Sequence, residues 1–267
     1  MRWPSSRSIP VVSRGRTGVS WRFPLASEPP LGPDETRRYA RHLVLKGFGG
    51  AAQQKLKAAR VLVVGAGGLG SPAIAYLAAA GIGHLGIIDP DTVSLSNLQR
   101  QVIHTSASVG TGKANSAGAF AGALNPHVGL DLHAEAITEG NADTLVGTCD
   151  VVLDGTDNLV TRRIVATSTE RLGKPLVSGA VSMFSGQVTV FAPHLGGPPH
   201  AALYPDEASD DALPSCEANG ILGPVTGVIG TLMAMEAIKL ITGVGEPLIG
   251  RLLVYDAREA RFSEIGY

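Results

Sequence analysis

The chain has 267 residues, of which 44% are hydrophobic and 17% charged, so one large domain or two small ones can bury a substantial core. The net charge of −1 excludes a general attraction to nucleic acid or membranes, and without an uninterrupted apolar run of about eighteen residues we expect no transmembrane helix. Two cysteines are too few for a disulfide framework or a four-cysteine zinc site, and they indicate a reducing compartment, the cytoplasm.

The N-terminal segment has a composition of its own. Residues 1–33 carry five arginines and several serines, and their first acidic residue is Glu28. This composition is typical of an organellar transit peptide, although no clear amphipathic helix emerges. We interpret residues 1–33 as a disordered tail or the product of a non-native start, with a transit peptide as the alternative, and assign one domain to residues 34–267.

Helices and strands alternate from residue 34 onward. Residues 34–58 are predicted to be helical. The next elements are predicted, in chain order, as a strand in "ARVLVVGAG", a helix in "GSPAIAYLAAAG", a strand in "HLGIIDPD", a helix in "KANSAGAFAGALN", and strands in "GLDLHAEAI" and "CDVVLDGTDN". A helix in "VTRRIVATSTERLG" and strands in "KPLVSGA" and "GQVTVFAP" follow. This alternation predicts an α/β fold with a doubly wound, mainly parallel, Rossmann-like sheet.

The alternation stops after residue 192. Residues 193–224 form a long stretch rich in Gly, Pro and Asp, and a loop of that length inside a domain is usually functional or disordered. An apolar helix in "VTGVIGTLMAMEAIKLITG" follows, and the chain ends on strands in "GRLLVYDAR" and "EARFSEIG". We therefore expect N-terminal helices before the sheet and a C-terminal antiparallel strand extension after it.

A glycine-rich turn between the first strand and its helix predicts a nucleotide site. The turn carries Gly65, Gly67, Gly68 and Gly70. Glycine allows a close approach of the backbone to phosphate, and the helix N-terminus supplies unpaired N–H groups. Asp89 ends the second strand, where an acid accepts hydrogen bonds from a ribose. Glycines used only for tight packing are the alternative.

Polar residues after the second and fourth strands indicate which nucleotide is bound. Arg100 and Lys113 follow Asp89, and "LDGTDN" places Asp154 and Asp157 at the end of the fourth strand. Two cations and an acid near a glycine turn suit a triphosphate with Mg²⁺. They argue against an NAD-linked oxidoreductase, because a dinucleotide has no γ-phosphate to hold.

Each of these residues also has an ordinary structural interpretation. Arg100 can be a surface arginine paired with a carboxylate, and Lys113 can be a solvated residue at the start of a helix. Asp157 can be the N-cap of the following helix. Their convergence with the glycine turn favours the nucleotide site.

The chain resembles the MoeB/ThiF family of adenylyltransferases, which activate ubiquitin-like sulfur-carrier proteins and are related to ubiquitin-activating enzymes. The resemblance covers about residues 34–265 and depends on the following segments, which are specific in this order: "RYARHLVLKGFG", "RVLVVGAGGLGSPAIAYLAAAGIG", "IIDPDTVSLSNLQRQVIH", "VGTGKANSA", "VVLDGTDN", "PLVSGAVSMFSGQVTVF" and "GVIGTLMAMEAIKLI". The form "DTVSLSNLQRQ" is similar to that of MoeB-like members.

The resemblance implies that ATP adenylates the C-terminal Gly-Gly carboxylate of a carrier protein in molybdopterin or thiamine-type cofactor biosynthesis. It implies nucleotide-binding roles for Gly65, Gly67, Gly68, Gly70, Asp89, Ser96, Asn97, Arg100, Lys113, Asp157 and Asn158. Asp89 would bind the ribose, Arg100 and Lys113 the phosphates, and Asp157 the Mg²⁺. Arg41 matches an arginine donated across a homodimer interface; without the resemblance it is an ordinary helix-surface arginine.

The chain departs from the family at its zinc site and leaves its cysteine chemistry open. Pro199 and Ala202 replace two expected cysteine ligands, so a thiolate zinc site is excluded, and His194, His200 and Cys216 are expected to be unliganded. The loop must therefore be stabilised in another way or stay mobile.

Cys216 matches a family cysteine that forms a covalent intermediate with the carrier, a role that the sequence leaves undecided. Cys149 is expected in the core.

Without a rhodanese domain, the sulfur donor would be a separate sulfurtransferase. A degenerate member that binds ATP or the carrier without catalysis is the second hypothesis. The identity of the carrier stays open.

Overall fold

The computed structural model describes residues 29–205 and 220–267. Eight strands form one sheet within these residues. The strands are β1 (Arg60–Val64), β2 (His84–Ile88), β3 (Gly129–His133), β4 (Val151–Asp154), β5 (Leu176–Ser182), β6 (Ser185–Phe191), β7 (Arg251–Asp256) and β8 (Arg261–Gly266). Cys216 and most of residues 1–33 lie outside the described residues.

The sheet has the strand order β3-β2-β1-β4-β5-β6-β7-β8. Neighbouring strands from β3 to β5 are parallel, and β6, β7 and β8 each pair antiparallel with the strand before. This confirms the predicted mainly parallel sheet and its antiparallel extension. The chain leaves β1 toward β2 on one side and returns to β4 on the other, and such reversals open a crevice at the carboxyl ends of the strands.

The helices cover both faces of the sheet. They are α1 (Pro33–Arg38), α2 (Ala40–Leu43), α3 (Gly49–Ala58), α4 (Gly70–Ala80), α5 (Lys113–Leu124), α6 (Ala142–Gly147), α7 (Leu159–Arg171) and α8 (Gly223–Thr242). Side chains of β1 alternate between two cores: Val61 and Val63 pack with α4, α5 and α8, whereas Leu62 and Val64 pack with α6 and α7. The doubly wound arrangement is therefore confirmed.

Two predictions of helices need correction. Residues 34–58 form three helices rather than one, because the chain turns at Tyr39 and again before α3, where Gly47 and Gly49 have φ of 87° and 67°. Left-handed glycines of this kind interrupt a helix. Helix α6 was missed, since its six residues are too few to show a helical period.

Helix α8 is long and apolar enough to cross a membrane by length and composition. It has 20 residues, and its most apolar window has a mean hydropathy of 1.5. In this structure 61% of that window is buried, and the helix packs against α4, β5 and β6. Core helices pass the same length and composition test, so the test alone is weak evidence for a membrane span.

Aromatic rings hold the start of the long loop against the C-terminus. Phe191 at the end of β6 lies edge-on to His200, Tyr204 and Tyr267, with ring centroids 5.0, 6.4 and 6.2 Å away. The hydroxyl groups of Tyr267 and Thr189 lie 2.7 Å apart. Pro199 and Ala202, at the expected zinc-ligand positions, flank His200 in a short 3₁₀ turn. The described part of the loop is thus stabilised by ring packing.

Candidate active site

A cavity of about 820 Å³ lies at the carboxyl ends of β1, β2 and β4. Its volume suits a ligand the size of a nucleotide. One end is formed by the glycine turn and by residues that follow β2 and β4. The other end extends along β5, β6 and β7, where Ser182, Ser185, Gln187 and Val254 line it. The cavity therefore has a phosphate-binding end and a far end of different composition.

The four glycines of the turn have two different roles. Gly65, Gly67 and Gly68 line the cavity, and Gly65 has a φ of 92° that favours glycine. Gly70 starts α4 outside the lining, and a Cβ there would collide with the carbonyl oxygen of Gly65. The tight-packing interpretation thus applies to Gly70, while Gly67 and Gly68 offer their backbone to a ligand.

Ala66 is held at both ends within the glycine turn. Its N–H donates to Oδ2 of Asp89 at 2.8 Å, and its carbonyl oxygen lies 3.0 Å from Nε2 of His104. Because a carbonyl only accepts, Nε2 carries the proton, and Nδ1 accepts from the Ser116 hydroxyl at 2.8 Å. Burial lowers the pKa of His104, which keeps the ring neutral. The shape of the turn is therefore set before a ligand binds.

Asp89 lies where a ribose-binding acid is expected, at the end of β2 in the cavity wall. Burial raises the pKa of its carboxyl group, while a hydrogen bond from the Asp91 N–H and the charge of Lys113 oppose the shift. Each oxygen already accepts one backbone hydrogen bond, from Ala66 or Asp91, and keeps a second lone pair for a ligand.

Lys113 is buried at the first residue of α5, and its Nζ forms an ion pair with Oδ2 of Asp91 at 2.8 Å. The solvated-surface interpretation of Lys113 is therefore wrong. Asp91 was missed in the sequence, although it stands two residues after Asp89, because only the fold brings it to the N-terminus of α5. Lys113 and Asp91 both line the cavity, so the pair brings an ammonium group and a carboxylate to its wall.

The segment after β2 carries Arg100 to the cavity. Ser94, Asn97 and Arg100 line it, whereas Ser96 does not. Arg100 Nη1 donates to the carbonyl oxygen of Ser96 at 3.1 Å, and Asn97 Oδ1 accepts from the N–H of Ser94 at 3.1 Å. Among the described residues Arg100 forms no ion pair, so its charge is available to an anion.

A buried ion pair lies beside the cavity, where Arg162 is one of the lining residues. Arg162 of α7 and Asp154 of β4 are only 2% and 1% exposed, and Nη1 lies 3.2 Å from Oδ2. The same guanidinium donates to Ser178 Oγ at 3.1 Å and to the Gly179 carbonyl at 2.7 Å. Arg162 was missed because in sequence it is one of two adjacent helical arginines. Its contacts make it structural.

Asp157 and Asn158 both line the cavity at the start of α7. Asn158 is the N-cap, since its Oδ1 accepts from the N–H of Thr161 at 2.8 Å. The N-cap interpretation of Asp157 is therefore wrong. Asp157 is exposed to the cavity and forms no ion pair with the described residues. Its carboxylate is free to meet a cation.

No group of three or more His, Cys, Asp or Glu side chains within the described ranges could hold a metal ion. Mg²⁺ does not need such a group, because it is often held by one or two carboxylates, phosphate oxygens and water. Asp157 fits that pattern. His194 and His200 are not in the cavity lining, and Cys149 is a buried core residue, as predicted, whose thiol pKa is raised by burial.

Arg41 is not among the residues that line the cavity. It is exposed on α2, between two anchored residues. Tyr39 is buried and accepts from Asn125 Nδ2 at 2.8 Å, and His42 Nδ1 lies 2.8 Å from Gln53 Oε1. These contacts fix the backbone on both sides of Arg41 and direct its side chain to the surface. Arg41 therefore does not join the other predicted site residues in this chain.

The ThiF family matches residues 39–266. The chain belongs to this family. It is 48% identical over 238 residues to the probable adenylyltransferase/sulfurtransferase MoeZ of Mycobacterium tuberculosis, covering 88% of this chain and 61% of MoeZ. It is 46% identical over 231 residues to the adenylyltransferase and sulfurtransferase MOCS3 of Arabidopsis thaliana, covering 86% and 50%. The family predicted from the motifs is confirmed, and the chain spans 50–61% of these two relatives.

Solved structures support the fold of this ThiF chain. PaaA has a TM-score of 0.76 at 22% identity, covering 88% of this chain and 74% of PaaA. MccB of E. coli, solved with ATP, has a TM-score of 0.72 at 22% identity, covering 89% and 73%. At this identity the likeness concerns the arrangement of helices and strands.

Proposed function

We propose that this ThiF-family chain adenylates the C-terminal Gly-Gly carboxylate of a ubiquitin-like sulfur-carrier protein with ATP and releases pyrophosphate. The observation that carries the proposal is the convergence of the glycine turn, Asp89, Arg100, Lys113 and Asp157 around one cavity. The relatives MoeZ and MOCS3, which are named adenylyltransferases, match most of this chain. Molybdopterin or thiamine-type biosynthesis is the proposed pathway, and the cytoplasm the proposed compartment.

The chemistry needs charge compensation rather than a base. A C-terminal carboxylate is already ionised at neutral pH. One of its oxygens attacks the α-phosphorus of ATP, the bond from that phosphorus to the bridging oxygen breaks, and pyrophosphate leaves with the electron pair. Repulsion between the two anions is the main obstacle. Arg100 and Lys113, which line the same cavity as the glycine turn, are proposed to offset this repulsion.

Asp157 is the residue proposed to hold Mg²⁺ at the phosphates, where the ion would neutralise charge on the leaving pyrophosphate. Its place just before α7 puts a carboxylate in the wall of the cavity that Lys113 also lines. The glycine turn orients the triphosphate through its backbone N–H groups. Positioning and charge together account for the proposed catalysis.

We also propose that the protein acts as a homodimer in which Arg41 of each subunit reaches the partner's nucleotide. The exposed, anchored position of Arg41 outside its own cavity supports an action across an interface. A separate sulfurtransferase is the proposed sulfur donor. Cys216, which precedes α8 in the sequence, is proposed as the thiol that attacks the carrier's acyl-adenylate, so that a thioester forms and AMP leaves.

The test is carrier-dependent exchange of labelled pyrophosphate into ATP, with the candidate Gly-Gly carriers of the same genome tried one at a time. Exchange with one carrier establishes adenylation and identifies the pathway. Lys113→Met is expected to reduce exchange by about 100-fold or more, because a buried cation beside the phosphates is lost. Lys174→Met, at a position outside the cavity, is the matched control. ATP binding without exchange for any carrier would favour a non-catalytic binding protein.

A further inference from the structure

His104 is a buried side chain that lies outside the cavity lining and contacts two elements that contribute to it. The residue is 5% exposed. Its Nε2 donates to the carbonyl of Ala66 in the glycine turn at 3.0 Å, and its Nδ1 accepts from the hydroxyl of Ser116 on α5 at 2.8 Å. One imidazole ring therefore joins the glycine turn to the N-terminal half of α5.

A second route joins the same two elements along the end of β2. The N–H of Ala66 donates to Oδ2 of Asp89 at 2.8 Å, and the N–H of Asp91 donates to Oδ1 of Asp89 at 2.9 Å. The carboxylate of Asp91 pairs with Nζ of Lys113, and its carbonyl accepts from the Lys113 N–H, both at 2.8 Å. Lys113 is the first residue of α5. Together with His104, this route closes a circuit of contacts between the turn and the helix.

The circuit relates two groups that are proposed to meet the same nucleotide. The backbone of Gly67 and Gly68 and the side chain of Lys113 line one cavity, although they belong to separate elements. The route along β2 reaches the lysine side chain through Asp91, whose own side chain is 63% exposed. Exposed ion pairs restrain their partners weakly, whereas buried hydrogen bonds are expensive to break. The buried contacts of His104 are therefore the firmer half of the circuit.

His200 shows what a histidine used for packing does in the same chain. It is also 5% exposed, and its ring lies 5.0 Å from the rings of Phe191 and Tyr204. Its Nε2 has no hydrogen-bond partner among the residues that the structure describes. His104 differs because both of its ring nitrogens are bonded, each to a different element. This arrangement links two elements, which ring packing alone does not require.

We propose that His104 is a positioning residue that sets Lys113 in register with the glycine turn, so that both meet the phosphates of one ATP molecule. This inference rests on the proposed function and goes beyond it, because His104 itself touches no ligand. A cation and N–H groups that are already in place need no rearrangement when the phosphates bind and react. His104 supplies that order by holding α5 against the turn.

The first experiment compares His104→Phe with the wild-type chain by calorimetric titration of ATP, well below the melting temperature. Phenylalanine keeps a ring of similar size and removes both hydrogen bonds. The dissociation constant for ATP is expected to rise about tenfold, the size of about one hydrogen bond. Thr189→Val is the matched control, since it removes a buried hydroxyl group outside the cavity lining. It should lower the melting temperature and leave ATP affinity unchanged; an equal loss of affinity in this control would overturn the inference.

A double-mutant cycle with Lys113→Met tests whether His104 acts through the lysine. In the Lys113→Met protein, His104→Phe should raise the dissociation constant for ATP by no more than about twofold, because no cation is left to position. A tenfold rise in that protein as well would show that His104 acts independently of Lys113, and the inference would be wrong.

Ser116 provides a second test that does not require a change in the buried ring. Ser116→Ala frees the ring from α5 and should raise the dissociation constant for ATP about fivefold, while Ser116→Thr keeps a hydroxyl group and should stay close to wild type. Unchanged ATP affinity in Ser116→Ala would contradict the proposed link between the helix and the turn. Failure of the wild-type chain itself to bind ATP would instead overturn the proposed function.

Discussion

His104 gives the glycine turn a dependence on pH that is set by one side chain. Burial lowers its pKa, so the ring is neutral in the folded protein. Its Nε2 donates to the carbonyl of Ala66, 38 residues away in sequence. In the unfolded chain the same ring has the ordinary histidine pKa of about 6.5. Protonation therefore favours the unfolded state.

The stability contributed by neutral His104 is present above a pH of about 6.5 and is lost as the pH falls toward its lowered folded pKa. His194 and His200 have pKa values lowered by burial as well and add to the effect. We expect the melting temperature to fall between about pH 7 and pH 5, and to fall less in His104→Gln, which does not titrate. Equal pH dependence in the two proteins would show that His104 is not responsible.

Single site residues could be predicted from the sequence where the chemistry is local. Gly67, Gly68 and Asp89 belong to one strand–turn–helix–strand unit, so their spacing in the sequence is sufficient to predict a nucleotide site. Asp91 and Arg162 were missed because their roles depend on contacts between separate elements. Sequence order shows that a carboxylate and a cation exist; only the fold shows which one is paired internally and which one faces a ligand.

At the scale of the element, α7 starts with a cap that also borders the cavity. Asn158→Ala is expected to lower the free energy of unfolding by about 1 kcal/mol, because the bond from the Thr161 N–H to Oδ1 is lost. Asn158→Asp should keep most of the stability, since it also accepts there. Denaturant unfolding measures both. A large loss of ATP affinity without a loss of stability would instead assign Asn158 to the nucleotide, as the family resemblance implies.

The contact between β6, the loop after it and the C-terminus depends on aromatic rings. Tyr267→Ala removes a ring that packs on Phe191 and a hydroxyl that meets Thr189, so we expect a fall in the melting temperature. Tyr267→Phe should lose only the hydroxyl contribution, about 1 kcal/mol.

A chelator such as EDTA should leave the melting temperature of the wild-type chain unchanged. A fall with EDTA would show that a metal ion stabilises the fold after all.

The type of each long element could be predicted from the sequence, and the breaks could not. Strands β1 and β4 are short apolar runs, and α4 and α8 are longer apolar helices. The hydrophobic pattern of the sequence is therefore enough to predict the type of each of these elements. The division of residues 34–58 into three helices depends on backbone angles at Gly47 and Gly49 that local composition does not determine. Short helices such as α6 depend on packing with α7 rather than on their own periodicity.

At the scale of the whole molecule, the role of Arg41 can be tested by mixing two inactive variants. Arg41→Ala and Lys113→Met should each lack activity alone. If Arg41 acts across a dimer, a mixed dimer has one site with both residues, so equal mixing should restore about a quarter of wild-type exchange activity. The recovered activity is measured as pyrophosphate exchange after the two variants have been mixed. No recovery, with subunit exchange verified, would place Arg41 outside the partner's site.

The class of the sheet could be predicted from alternating elements, but the strand order could not. The alternation of helices and strands in the sequence predicts that β1 to β5 are parallel. It does not show that the chain returns from β3, past β2 and β1, to place β4 on the other side of β1. That crossing creates the crevice, so the location of the cavity followed only from general experience with such sheets. The antiparallel pairing of β7 with β6 also depends on contacts distant in sequence, whereas β7 and β8 pair as a local hairpin.

The elongated cavity separates two kinds of recognition along the chain. The phosphate-binding end is built from β1 to the start of α7, whereas Ser182, Ser185, Gln187 and Val254 form the far end on β5, β6 and β7. A substitution at the far end therefore removes none of the residues that we propose to bind the nucleotide. Under the proposed function, substitutions on β5, β6 and β7 can change which acyl group the cavity accepts. The protein would still use ATP, because the phosphate-binding end is unaltered.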